Sequence, residues 1–177
     1  YNMRISRILQ LENKPGVRLI QAPSLTLSLI LNPAPAPPEE LNPFSIREVR
    51  WAMQYLVDRD FVSREIYLGH ATPMVSHVSP YDYDYSVVFT TIREAGIRYD
   101  PDLAGRIITE AMTMAGAEKR DGVWTFKGQP ITVKFIIRTE DERREIGELV
   151  ATRLSEIGFR VERIYHPFAQ AISKVYT

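Results

Sequence analysis

Charged side chains crowd the heptapeptide RTEDERR at 138–144, where Glu140, Asp141 and Glu142 stand between Arg138 and the pair Arg143 and Arg144. Two carboxyl groups facing each other across roughly 5 to 10 Å are the machinery of glycoside hydrolysis. Such partners meet only in space, so a carboxylate-based hydrolase is an alternative reading of this chain. The three acids already suit another duty, the positive end of a helix dipole. Glu140 and Arg144 can pair at i, i+4 on a solvated face, whereas Arg143, close to a strand end, can meet an anionic group. The histidines His70, His77 and His166 lack the i, i+4 pairing or tight clustering of a metal site and read as surface or structural residues. Tyr81, Tyr83 and Tyr85 alternate with Asp82 and Asp84, and their rings and hydroxyls can line a sugar or peptide cleft. More often such a run is a loop tucked against its own domain. No GxSxG elbow, P-loop, GxGxxG or HExxH occurs, so no catalytic residue and no metal ligand is assigned, and no cofactor is expected.

The elements that must carry these residues form one unit from Asp121 to Phe168. Ile131, Val133, Phe135 and Ile137 alternate with polar and apolar neighbours at the period of a strand buried on one face. Thr139 and Glu142 have the form of a capping box, which predicts a helix from about Glu140. Its apolar stripe is Ile146, Leu149, Val150, Leu154 and Ile157, and Gly158 is its stop. Phe159 and Val161 then open a strand that ends at Pro167. A strand, helix and strand in this order predict a parallel pair joined by a right-handed crossover. Ligands of open sheets meet the carboxyl ends of strands beside helix starts, which here are 138–143 and 165–168.

The totals bound the class. With 177 residues the chain is long enough for one domain with a real core, read here as a single α/β domain over 1–177. Lysine plus arginine and aspartate plus glutamate are 22 each, so no global field recruits nucleic acid. The absence of cysteine removes thiolate chemistry, disulfides and common structural zinc sites. No apolar run approaches the roughly 20 residues of a membrane helix. The start at Tyr1, with no signal-like segment, reads as a piece of something longer.

In chain order, 5–11 predicts a short helix closed at Pro15 and Gly16, and 17–20 and 25–31 predict two strands. Five prolines between Pro33 and Pro43 predict a semi-rigid surface loop over 33–43. Ser45 and Glu48 form a second capping box before a helix burying Ile46, Val49, Ala52, Met53 and Leu56. Asp60 is expected to cap the next helix, which runs to Tyr67 and stops at Gly69. Residues 87–95 fit helix or strand. Asp100 and Pro101 start a helix whose expected buried face is Leu103, Ile107, Ala111 and Met114. A hairpin or tight connection is expected around 127–130, and 169–176 suggest a last short helix.

Pro43, Phe44, Val49, Arg50, Ala52, Asp58, Arg59, Gly69, Ala71 and Pro73, followed by YDPDLAGRIITEA and the stretch from Gly128 to Phe168, resemble the extracellular solute-binding proteins of peptide and nickel ABC transporters, bacterial family 5. The likeness runs from Val17 to Ile172. The 33–43 run and the tyrosine-rich stretch after Pro80 depart from it as apparent insertions. The resemblance implies a periplasmic-binding-protein-like lobe of the type II solute-binding fold, a mixed sheet with flanking helices including the βαβ unit. It implies one lobe of a two-lobed protein, extracellular or periplasmic and membrane-anchored, that closes around a solute and delivers it to an ABC permease. An oligopeptide or dipeptide is the expected solute, with an oligosaccharide or a nickel complex as alternatives. An interaction module is a further reading. The positions similar to ligand-facing ones are Arg138, Arg143 and Phe168, with His166 on the same edge and Asn32 matching an asparagine that is more often structural.

Overall fold

The computed structural model describes residues 4–12, 14–20, 22 and 25–175. In order it contains α1 (Ile5–Leu9), a 3₁₀ turn (Pro43–Ser45), α2 (Arg47–Leu56), α3 (Arg59–Phe61) continued by a π turn (Val62–Ile66), α4 (Tyr85–Ala95) and α5 (Pro101–Met114). Then come β1 (Glu118–Arg120), β2 (Val123–Phe126), β3 (Gln129–Pro130), β4 (Thr132–Arg138), α6 (Arg143–Glu156), β5 (Arg160–His166) and α7 (Phe168–Val175). Two compact units result, one from Tyr1–Leu29 with Asp58–Ile97, the other from Ile30–Val57 with Arg98–Thr177.

In the first unit the helix after residue 57 is capped by Asp58, whose carboxylate accepts the Phe61 N–H at 2.8 Å, and not by Asp60. Residues 85–95 are helical and end on Gly96 in the left-handed region at φ +58°, so the glycine stop outweighs the β-branched content. The two expected strands, 17–20 and 25–31, take no regular secondary structure and belong to neither sheet among the described residues. Alternation alone does not make a strand, because a ladder needs a partner. Leu25 and Leu27 are exposed accordingly, and Tyr83 is 97% exposed.

The second unit holds the main core. Val49, Ala52, Met53 and Leu56 of α2 pack in one cluster with Ala104, Ile108, Ala111 and Met112 of α5, together with Phe44, Trp124, Ile131, Val133, Val150, Leu154 and Phe159. Asp100 caps α5 by accepting the Leu103 N–H at 2.9 Å, and Pro101 takes the first helical position. The buried face of α5 nonetheless differs from the expected one: Ala104, Ile108 and Met112 are inside while Met114 is 83% exposed. In α6 likewise Gly147 and Ala151 are buried beside Val150 and Leu154, with Ile146, Leu149 and Ile157 only half-buried. Helices approach their neighbours most closely at small residues, which a stripe of large side chains leaves out. The second capping box does not form. Ser45 donates its hydroxyl to the Asn42 carbonyl at 2.7 Å, Asn42 caps the 3₁₀ turn, and α2 begins only at Arg47.

Two turns with both central residues at positive φ, Asp121-Gly122 (+49°, +82°) and Lys127-Gly128 (+48°, +79°), fold β1, β2 and β3 into an antiparallel meander. The expected hairpin is therefore present, but it joins β2 to the short β3 and not to β4. The chain then leaves this sheet, and β4 pairs in parallel with β5, from Thr132 opposite Arg160 to Arg138 opposite His166. The helix α6 between them completes the βαβ unit. Gly147 is where it presses on β4, since a Cβ there would lie 2.6 Å from Ile137 Cγ2.

The meander is pinned to the end of α6 by the Trp124 N–H to the Gly158 carbonyl at 2.8 Å and the Trp124 indole N–H to the Ile157 carbonyl at 3.0 Å. Gly158 sits at φ +103°, and a Cβ on it would be 2.6 Å from the Gly122 carbonyl oxygen. Gly128 has a similar φ but open space around it. Gly158→Ala is expected to cost the φ penalty of about 1–2 kcal/mol and a further ~1–3 kcal/mol of overpacking. Gly128→Ala should cost only the first. Urea unfolding of the two variants checks this; equal midpoints would show that the close approach is not constraining.

Candidate functional site

Parallel pairing places the carboxyl ends of β4 and β5 on one edge, and the ladder continues there through the Thr139 N–H to the His166 carbonyl at 3.2 Å. The starts of α6 and α7 follow directly. The expected capping box of Thr139 and Glu142 is replaced by a tighter arrangement. Helix α6 starts at Arg143, three residues later than the spacing predicts, and Glu142 precedes it without a side-chain cap bond. Asp141 adopts a left-handed φ of +53°, and its carboxylate accepts the Arg143 backbone N–H at 3.0 Å. The same carboxylate pairs with the Arg143 guanidinium, and both side chains are largely buried, 5% and 15% exposed. Arg143 thus has an internal anionic partner.

Glu140 turns the other way. One oxygen accepts the Phe168 N–H at 2.6 Å, at the first residue of α7, and the other lies 3.3 Å from Arg138 Nε. Because it lies outside α6, its expected i, i+4 pair with Arg144 is not made; the Arg144 guanidinium lies over the Tyr165 ring instead, 5.8 Å from its centroid. The hydrogen bond from Phe168, more than the charge of Arg138, holds the Glu140 carboxyl below its ordinary value. Arg138 lies over the Phe168 ring, its guanidinium carbon 4.3 Å from the centroid. Its Nη2 is buried and has no hydrogen-bond partner.

His166 is half-buried, with Nδ1 3.1 Å from the Gln170 side-chain oxygen one turn into α7. Topology therefore brings Arg138, Arg143, His166 and Phe168 to one edge. Asn32 belongs to a different local structure: its side chain accepts the Ala34 N–H at 3.0 Å and its carbonyl accepts from Asn42 at 2.8 Å, at the base of the proline-rich loop. What sequence reasoning missed is that the acids of 140–142 divide their work between two helix starts. The left-handed backbone at Asp141, which separates them, has no counterpart in the apolar periodicity. A second network, Glu148 of α6 accepting from Arg163 at 3.2 Å and from the Tyr165 hydroxyl, was also not foreseen. That bond pushes the Tyr165 phenol up.

Among the described residues no group of three or more histidine, aspartate or glutamate side chains is placed to hold a metal ion, and no helix is long and apolar enough to cross a membrane. An open cleft of about 610 Å³, with Asp102, Arg106, Lys119 and Glu156 on its walls, adjoins the C-terminal end of α6. A helix of 14 residues is about 21 Å long, so this cleft is remote from the strand-end edge.

The mixed α/β architecture is that of periplasmic solute-binding proteins. Similar solved structures include the periplasmic oligopeptide-binding protein of an oligopeptide ABC transporter from Thermotoga maritima, bound to mannohexaose (TM-score 0.60, 22% identity, 76% of this chain and 25% of that one). They also include the oligopeptide-binding protein AppA from Bacillus subtilis with a nonapeptide (0.57, 18%, 73% and 25%). A third is the periplasmic binding protein MelB from Agrobacterium fabrum with stachyose (0.52, 16%, 76% and 21%). The chain spans a quarter or less of the length of these proteins. The family model for bacterial extracellular solute-binding proteins, family 5 Middle, matches residues 1–174, and the chain belongs to this family. Among curated proteins no match is found.

The depressed Glu140 value has a signed consequence. The bond to Phe168 is present above the ordinary glutamate value of 4.5 and is lost as pH falls through the lower folded value. The Phe168 amide proton, followed by NMR from pH 7 to 2, should shift with a midpoint below 4.5. A midpoint at or above it would break the link between this bond and the carboxylate. Glu140→Gln should flatten the titration.

Proposed function

We propose that this chain is one part of a two-lobed ABC-transporter binding protein whose solute is an oligopeptide or dipeptide. Family membership over residues 1–174 carries the class. The strand-end edge, with Arg138 on Phe168 and His166 and Arg143 beside it, supports the place. Arg138, His166 and Phe168 face the solute in this reading, Arg143 shapes the rim through Asp141, and Asn32 holds the base of the proline-rich loop. The peptide assignment leans on the oligopeptide-binding proteins among the structural neighbours. Because one of these holds mannohexaose and another neighbour holds stachyose, an oligosaccharide is the second reading. A nickel complex is a third, after the neighbour crystallised with nickel and histidine.

The physical work is capture without chemistry on the solute, so the protein is not an enzyme in this reading. A solute touching both lobes stabilises the closed form by its differential affinity for it. Closure presents the loaded protein to the permease outside the cytoplasmic membrane, with the full-length protein anchored to that membrane.

Half a site binds weakly. Calorimetry of the 177-residue chain with di- to pentapeptides, malto- and manno-oligosaccharides and nickel–histidine should give no saturable heat below about 1 mM, a dissociation constant worth only ~4 kcal/mol. The longer protein carrying both lobes should bind one of these classes at least about a hundredfold more tightly, since the second lobe adds contacts without a second association cost. Tight binding by the isolated chain would overturn the two-lobe reading.

A further inference from the structure

The proline-rich loop has no part in solute capture, and it is held more firmly than a connector needs. Leu31 and Leu41 on either side pack against the core. Between them, Pro33 to Pro38 carry no polar side chain, and all but Ala36 are exposed. A continuous apolar run outside any core differs from the singly scattered apolar residues of ordinary surface. Its backbone is fixed at both ends. The Asn42 side-chain amide donates to the Asn32 and Ala34 carbonyls, each at 2.8 Å. Lys127, in the turn between β2 and β3, donates to the Pro38 carbonyl at 2.8 Å, and the Glu40 N–H closes a turn onto the Pro37 carbonyl at 2.9 Å.

Proline sets the shape between these anchors. Each proline fixes its own φ, and Ala34, Ala36 and Pro37, each followed by a proline, are confined to extended backbone. The stretch is thereby a short polyproline II rod with about three residues per turn. That repeat puts Pro35 and Pro38 on one edge, Ala34 and Pro37 on the next, and Pro33 and Ala36 on the third. Ala36 is the half-buried residue, so its edge turns to the body and the other two face outward. Glu39 and Glu40 follow at the C-terminal end, both exposed.

We propose that residues 34–40 are a preformed docking ridge for a second protein, one that offers an aromatic-lined groove to Pro35 and Pro38 and a basic side chain to Glu39 and Glu40. Proline-rich rods dock in grooves of this kind because little ordering remains to be done on binding. The paired acids choose a cationic rim over an acidic one. Asn42 and Lys127 act as positioning residues, holding the rod at its two ends. The ridge shares no residue with the strand-end edge and does not rest on the solute-binding reading.

The test titrates the 177-residue chain, isotope-labelled, with an SH3, a WW and an EVH1 domain as probes, all of which present aromatic-lined grooves. NMR follows the Ala34, Ala36, Glu39 and Glu40 amides, and the amides of α5 report that each variant remains folded. At least one domain should shift the loop signals saturably with a dissociation constant below about 1 mM. A free peptide of residues 31–42 should bind that domain about tenfold more weakly, because it must order itself first. Lys127→Met, which keeps the side chain's length and removes its bond to Pro38, should weaken binding about threefold. Joint Pro35→Ala and Pro38→Ala should abolish it, and joint Glu39→Gln and Glu40→Gln should weaken it. No saturable shift with any of the domains, a free peptide that binds as well as the chain, or an unchanged affinity in Lys127→Met would overturn the proposal. Concentration-dependent shifts of the loop amides in the chain alone would assign the ridge to a second copy and overturn the choice of partner.

Discussion

The parallel ladder between β4 and β5 is the constraint on which the second unit depends, because parallel strands cannot be joined by a short turn and must be spanned by a helix. That helix, α6, packs onto the two strands, with Gly147 against Ile137 of β4 as its close contact. Once the register runs from Thr132 opposite Arg160 to Arg138 opposite His166, both strand ends finish side by side. Everything chemically distinctive then follows within a few residues: the acidic loop on one strand, Pro167 and α7 on the other.

At that edge the electrostatics are nearly self-contained. Each of two helix starts receives a carboxylate from one four-residue loop, and each carboxylate has its own arginine. The two pairs differ in burial, and burial decides their character. A pair as enclosed as Asp141 and Arg143 is held because separating it would strand a charge in a poorly solvated place. The Arg138 and Glu140 pair keeps one side in water, where the strength of such a contact is modest and screened. One pair is enclosed in the scaffold, and the other is a partly exposed contact.

Much of this architecture was legible from spacing. The βαβ unit, the Asp100 and Pro101 helix start and the loop character of the proline run follow from local rules, and the structure agrees with each. Residues 17–20 and 25–31 failed as strands because a ladder partner is not a local property. The capping boxes failed for another reason. Ser45 and Thr139 have the right neighbours, but Asn42 and Asp141 offer competing local hydrogen bonds to the same stretch of backbone. Of the site, the edge was legible from topology, while the division of labour between Glu140 and Asp141 was not. It depends on one left-handed residue and on an α7 start that lies 28 residues away in sequence.

The crowding at Gly158 reaches beyond stability. Backbone and indole bonds from Trp124 fasten the C-terminal end of α6 to the meander, and its opposite end is held by the enclosed Asp141–Arg143 pair and by the close packing of Gly147 on Ile137. The helix is therefore fastened at both ends, and its fixed length sets how far the strand-end edge stands from the meander.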